Sequence, residues 1–211
     1  SGQKEGMPMK ELLEKILSAL KEGISVRKLT FGEEELVLLK SFQLLTLKPV
    51  LYVANVNENG FENNSYLSSI LDYAKEENSK VVPICAEIEA EICELSNDEK
   101  KEFLLEMGQN ESGLDRLIKA GYDLLGLHTY FTAGEKEVKA WTITVGDSAP
   151  VAAGKIHTDF EKGFIRAETI SFQDYIDYKG EKGAKDAGKL RTEGKDYVVK
   201  DGDIMHFLHN T

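Results

Sequence analysis

The chain has 211 residues, 41% hydrophobic and 30% charged, a balance that fits one large or two small soluble domains and excludes wholesale disorder. No apolar run approaches the ~20 residues a membrane helix needs, so a membrane partner is not expected. The net charge is −11, with 14 Lys/Arg against 23 Asp/Glu in residues 1–125 and 12 against 14 in residues 126–211. The first part is therefore a poor general nucleic-acid binder, and an anionic partner is expected at the second.

Leu12, Ile16 and Leu20, with Leu13 and Leu17 beside them, predict a helix over 7–23. A second helix is expected over 31–49, stopping at Pro49. The β-branched and aromatic run 50–56 reads as a strand, 63–78 as a helix and 80–87 as a second strand. Strand, helix and strand in so short a span predict a parallel βαβ unit whose ligand edge is the carboxyl ends of its strands. Helices follow over 96–108, opened by a capping signature, and over 112–126. The pattern then changes. Residues 127–134 and 137–145 alternate as a hairpin, 149–163 reads as one short helix, and 164–172, 196–200 and 203–210 as strands. Hairpin, helix and further strands predict an α+β domain, with a β-grasp as the candidate fold and the boundary near Gly126. The expected fold class is thus α/β followed by α+β.

The first strand, "VLYVANVNENG" (50–60), ends in Asn55, Val56, Asn57 and Glu58. Guanine offers two adjacent donors that one short carboxylate accepts together, and GTPases read it with Asn-Lys-x-Asp. Here Val56 holds the lysine place and Glu58 the aspartate place. The longer side chain disturbs the bidentate geometry, and Val56 supplies apolar surface without charge. Adenine repels a carboxylate at N1, so an adenine pocket relies on backbone groups and apolar contact, with Glu58 turned elsewhere. A plain polar turn with Asn as a cap explains the same letters. The second strand ends in "CAEIEAE" (85–91), where Ala86 and Glu87 can offer backbone N–H groups to a base; an acidic helix start, favoured by the helix dipole, is the competing explanation.

The stretches "TLKPVLYVANVNENGFENN", "HTYFTAGEKEVKAWTI", "AAGKIHTDFEKGFIRAETISFQDYI" and "EGKDYVVKDGDIMHFL" resemble the YchF-type Obg-like ATPases, over about Leu44 to Thr211. The resemblance implies a P-loop nucleotide-binding domain preferring ATP, a helical coiled-coil insertion and a C-terminal TGS domain of β-grasp type. It also implies Mg2+ on the phosphates, slow ATP hydrolysis and binding to the ribosome or ribosomal RNA. The family's Asn-x-x-Glu base motif falls on Asn55 and Glu58, with Val56 bordering the adenine. By this analogy residues 1–48 are a coiled-coil remnant, 49–126 the C-terminal half of the nucleotide domain and 127–211 the TGS domain.

No GxxxxGK[ST] occurs in the chain. Without it no backbone nest cradles phosphates, no lysine reaches them and no hydroxyl holds Mg2+. The expectation is a C-terminal part of a longer protein, inactive alone and weak in ATP binding. Its stripe Leu12, Leu13, Ile16, Leu17 and Leu20 would have lost a facing helix, which favours self-association. Two rival functions remain: a nucleotide-independent TGS-type module for RNA, ribosome or protein, and a GTPase of the Obg class.

The other chemistry-bearing residues point to less. Cys85 and Cys93 form neither CxxC nor a zinc spacing, which predicts a reduced, cytoplasmic chain, with Cys85 buried. His157, Asp159 and Glu161 resemble a metal cluster by residue type only, and no metal is expected there. His206 and His209 should face opposite ways in a strand. Trp141 and the Phe and Tyr residues of the last domain are expected mostly in the core; exposure of some for RNA stacking is the alternative, with no RNP-type pattern behind it. Lys179, Lys182, Lys185, Lys189 and Arg191 punctuate a Gly-rich segment, read either as a solvated loop or frayed helix or as a contact to ribosomal RNA or an acidic protein. No residue is expected to be catalytic in this chain alone.

Overall fold

The computed structural model describes residues 2–134 and 136–210. The chain divides between Leu124 and Leu125 into two units.

The first unit opens with helix α1 (Gly2–Lys21). Leu12 and Ile16, one turn apart, are buried against Val26 and Leu39, with Leu29, Phe31, Leu44 and Leu47 packed around them. Two of the five stripe residues therefore find their partners inside the chain, contrary to the expectation that the whole stripe lacks one. Leu17 and Leu20 remain exposed. The single helix expected over 31–49 is also not there. Helix α2 (Glu33–Leu39) ends early and two three-residue 3-10 turns follow. Gln43, at φ 49, breaks the winding, and the Ser41 hydroxyl donates to the Leu38 carbonyl. The break turns Leu44 and Leu47 inward, where burial outweighs helix propensity.

Strands β1 (Leu51–Asn55) and β2 (Lys80–Ile84) pair in parallel, Asn55 opposite Ile84, and are joined through α3 (Ser65–Glu76). Asn64 caps α3, its side chain accepting from the N–H groups of Tyr66 and Leu67. The second strand is shorter than the 80–87 expected: Cys85 turns the chain and α4 (Ala86–Glu94) starts at once. Helices α5 (Asn97–Glu106) and α6 (Gly113–Leu125) follow. Cys85, Ile88, Ile92 and Leu104 form the core beneath them.

In the second unit β3 (Leu127–Ala133) and β4 (Val138–Thr144) form the hairpin. The single helix expected over 149–163 is two, α7 (Ala149–Ile156) and α8 (Thr158–Lys162). His157 between them is extended, and its Nδ1 accepts from the Asp159 N–H as a cap of α8. Strand β5 (Phe164–Ile170) and the short helices α9 (Phe172–Asp177) and α10 (Glu181–Asp186) come next. Strands β6 (Arg191–Glu193) and β7 (Ile204–His209) complete one sheet ordered β4-β3-β7-β5-β6. Here β7 runs parallel to β3 and antiparallel to β5. The strand expected over 196–200 reduces to a bridge between Ser148 and Val198. Tyr130, Ile143, Ala152, Ala153, Ala167 and Phe207 form the core.

Candidate functional site

The two parallel strands end side by side, and one side chain ties them. Asn55 Oδ1 accepts the Ala86 N–H at 3.0 Å, while the Val56 N–H donates to the Ile84 carbonyl at 2.8 Å. The amide of Asn55 thus fixes the start of α4 against the turn after β1. Val56 is half-buried in that turn; Asn57 and Glu58 are exposed. The turn closes through the Gly60 N–H to the Asn57 carbonyl, at 2.9 Å. At Gly60 a Cβ would stand 3.1 Å from Val56 Cβ and 3.2 Å from the Asn57 backbone nitrogen, so this return is tight. Ala86 and Glu87 are the first two residues of α4. The Ala86 N–H is already donated to Asn55. The next helix-opening donor, which lacks an intrahelical acceptor, belongs to Glu87. Asn55, Val56, Ala86 and Glu87 therefore meet at one strand edge, with Glu58 on the exposed turn above it.

Two acidic residues that the sequence did not single out tie together the elements around this edge. Glu89 of α4 accepts from the N–H groups of Gly113, at 2.7 Å, and Leu114, at 3.1 Å, so one carboxylate caps α6 from a neighbouring helix. Glu77, just after α3, has a side chain only 1% exposed. The Tyr52 hydroxyl donates to it at 2.7 Å, Arg27 Nε and Nη2 at 3.4 Å, and the Tyr73 hydroxyl at 3.4 Å; Lys28 Nζ stands at 3.8 Å. The Tyr52 hydrogen bond, with Arg27 and Lys28 behind it, holds the Glu77 carboxyl below the usual range despite burial, and Tyr52 is pushed up in return. Glu77 thereby anchors the segment after α1 to β1. Its neighbour Glu76 is exposed, so nothing in "KEEN" marks which glutamate goes inside.

The remaining candidates separate. His157 Nδ1 accepts from the Asp159 N–H and stands 3.4 Å from the Asp159 carboxylate, but the Glu161 side chain lies against Gly154, so the three do not converge. Among the described residues no group of three or more His, Cys, Asp or Glu is placed to hold a metal ion. Cys85 is buried in the core under α4 and Cys93 is exposed. His206 is exposed, whereas His209 stacks on Phe160 with centroids 3.8 Å apart. The basic segment is partly loop: α10 carries Lys182 and Lys185 and β6 carries Arg191, while Lys179 and Lys189 lie in the connections beside them. Lys189 pairs with Asp174 at 3.2 Å, and Arg191 reaches Asp203 at 3.3 Å and the Tyr197 hydroxyl at 3.2 Å. Lys179, Lys182 and Lys185 are exposed. No helix among the described residues is long and apolar enough to cross a membrane.

Comparison with known proteins gives this arrangement a context. The family model YchF-GTPase_C, described as a protein of unknown function (DUF933), matches residues 127–210. The chain is 58% identical over 209 residues to the Ribosome-binding ATPase YchF of Escherichia coli O157:H7, covering 99% of this chain and 58% of that protein. It is 53% identical over 203 residues to the protein of the same name from Bacillus subtilis (strain 168), covering 95% and 56%. The solved structure of the Schizosaccharomyces pombe YchF GTPase superposes with a TM-score of 0.83 at 37% identity, covering 97% of this chain and 55% of that one. A GTP binding protein from Pyrococcus horikoshii OT3 shares the fold, with a TM-score of 0.56 at 18% identity over 95% of this chain and 56% of the other. The chain thus spans somewhat over half the length of the curated relatives it matches.

Proposed function

The chain belongs to the YchF family, and from that premise we propose that it carries the base-reading side of an ATP site together with a ribosome-facing C-terminal unit. The observation that carries the first half is the Asn55–Ala86 hydrogen bond, which joins the two strand ends into one edge. In this reading Asn55 braces the loop, half-buried Val56 borders the adenine, and Glu87 offers the backbone donor that Ala86 has given up. Exposed Glu58 excludes the bidentate reading of guanine. These residues fit the base of a nucleotide. They do not fit Mg2+ or the phosphates: the chain has no GxxxxGK[ST], and no acidic or histidine cluster converges among the described residues. Phosphates and metal would be held by residues outside this chain, and since such contacts supply most of the catalysis of phosphoryl transfer, the chain alone is inactive as an ATPase. The exposed apolar residues Leu17, Leu20, Val37, Leu114 and Ile118 support the same reading, as faces covered in a longer protein or by self-association.

The strand order β4-β3-β7-β5-β6, with a helix crossing between hairpin and β5, supports a β-grasp of TGS type over 127–211. Lys179, Lys182 and Lys185 are its cations for ribosomal RNA, Lys189 and Arg191 being engaged by aspartates. A cytoplasmic location follows from a ribosomal partner.

The test is calorimetric titration of ATP and of GTP, each with Mg2+, into this chain and into the chain extended upstream to the relatives' full length. Asn55→Ala is made in both. The expected result is weak or absent binding to the chain, ATP preference in the longer protein, and weakened ATP binding in its Asn55→Ala variant. Unchanged ATP affinity in that variant supports the nucleotide-independent module instead. A preference for GTP supports the GTPase reading.

A further inference from the structure

In the second unit a groove of about 650 Å3 opens between α8, the ends of β3 and β7, and the turn after β3. That volume lies in the range of small-ligand sites. Its walls carry fixed rings. Trp141 donates its indole N–H to Thr132 Oγ1 at 3.0 Å and lies nearly parallel to buried Tyr130, at 14°. Lys139 Nζ stands 4.0 Å from the Trp141 ring centroid. The second aromatic wall is the Phe160–His209 stack. The orientation of these rings is set before any ligand arrives, which lowers the ordering cost of binding.

The lining chemistry narrows the ligand. A lipid chain would bury the His209 imidazole without offering it a partner, whereas Thr132 Oγ1 already accepts the Trp141 indole N–H. A flat ring with hydrogen-bonding edges uses both the faces of Trp141 and His209 and the polar groups between them. The groove is open, and Lys136 in its lining and Lys139 beside the indole put positive charge there, which suits a ligand whose other half is solvated and anionic. Glu137, next to Lys136 in the chain, offsets part of that charge, so phosphate attraction alone is weak and stacking supplies the affinity.

We propose that this groove binds an unpaired nucleobase of single-stranded RNA, the base lying against Trp141 and the Phe160–His209 stack, with its phosphate toward Lys136 and Lys139. The proposal rests on the reading of residues 127–211 as RNA-facing. It is tested without ribosomes, so a groove that fails here leaves ribosome binding through Lys179, Lys182 and Lys185 to be measured by cosedimentation.

Trp141 is the single tryptophan of the chain, so its emission reports on the groove directly. The full chain is titrated with hepta-adenylate, with a fully paired G·C-rich RNA duplex long enough to stay double-stranded, and with a Phe-containing tripeptide, while the anisotropy of end-labelled RNA follows total binding. The expected result is saturable quenching by the single strand only. His209→Ala should weaken it by about 10-fold, as loss of one stacking partner does, and the dependence on salt should be shallow. Should His209→Ala fail to fold, Thr132→Val, which keeps the volume and removes the hydroxyl, is expected to shift the quenching curve in the same direction. RNA binding by anisotropy with no change in Trp141 emission would overturn the proposal, as would equal binding of the duplex. Quenching by the tripeptide and not by RNA would reassign the groove to a protein partner and equally overturn it.

Discussion

Glu77→Ala tests whether one buried carboxylate holds the segment after α1 onto the strand that ends in Asn55. The substitution leaves the Tyr52 hydroxyl and the Arg27 guanidinium without their acceptor in a site where the carboxylate is 1% and Arg27 18% exposed. Stranding one partner of a buried pair costs about 3–5 kcal/mol. Arg27 keeps its bonds to the carbonyls of Thr46, at 3.2 Å, and Lys48, at 3.5 Å, which places the expected loss near the lower end, at about 3 kcal/mol. For a unit of this size that is a drop of about 10 °C in midpoint. Glu77→Gln keeps the volume and an acceptor for Tyr52 and loses the charge, so about 1–2 kcal/mol is expected.

The assay is urea unfolding followed by far-UV circular dichroism, with Trp141 emission reporting the second unit separately. The pH dependence gives a further check. The Glu77 carboxyl is held below its ordinary value, so its contribution is present above the unfolded-state pKa and lost as pH falls through the lower folded-state value. The difference between the wild type and Glu77→Gln should therefore be full at pH 7 and shrink in the acid range below the ordinary glutamate value. A Glu77→Gln protein as stable as the wild type at pH 7, or a difference that persists unchanged into acid, would refute the reasoning.

Glu89→Ala removes the cap that α4 provides to α6, with an expected loss of about 1–2 kcal/mol and faster hydrogen exchange at the amides of Gly113 and Leu114. Gly163→Ala places a Cβ against the backbone carbonyl of Asn210, which cannot move away as a flexible side chain would. A loss of about 2–3 kcal/mol is expected, read as an earlier Trp141 transition. Burial, and then the bond to Asp203, push Tyr197 up to about 12. In an alkaline absorbance titration it should ionise well after exposed tyrosines, and its share of stability, present below the unfolded value near 10, should be lost as pH rises toward 12. Asp203→Asn should bring that titration down.

The strand-end edge was legible because its signal is local. An apolar β-branched run breaking into Asn55, Val56 and Glu58 marks a strand end, and a second strand one helix later implies parallel pairing. Which glutamates tie the first unit's elements together was not legible. Glu77 and Glu89 sit in acidic stretches where each neighbour looks alike, and only packing decides which one meets Tyr52 and Arg27 or the start of α6. The paired state of Lys189 and Arg191 was hidden likewise, since their partners Asp174 and Asp203 are 15 and 12 residues away in sequence.

The sequence by itself determined the alternation of strands and helices, the parallel βαβ unit, the division near Gly126 and the residues at the first strand's end, because hydrophobic period and turn chemistry act over a few residues. Tertiary structure decided where helices stop. The stretch 31–49 breaks at Gln43 because Leu44 and Leu47 gain more from burial against Leu12 and Ile16 than from continued helix. Likewise 149–163 breaks at His157, whose ring caps α8. Tertiary structure also decided that Asn55 bonds the start of α4 rather than its own turn, since that acceptor and that donor are 31 residues apart and meet only once β1 and β2 have paired.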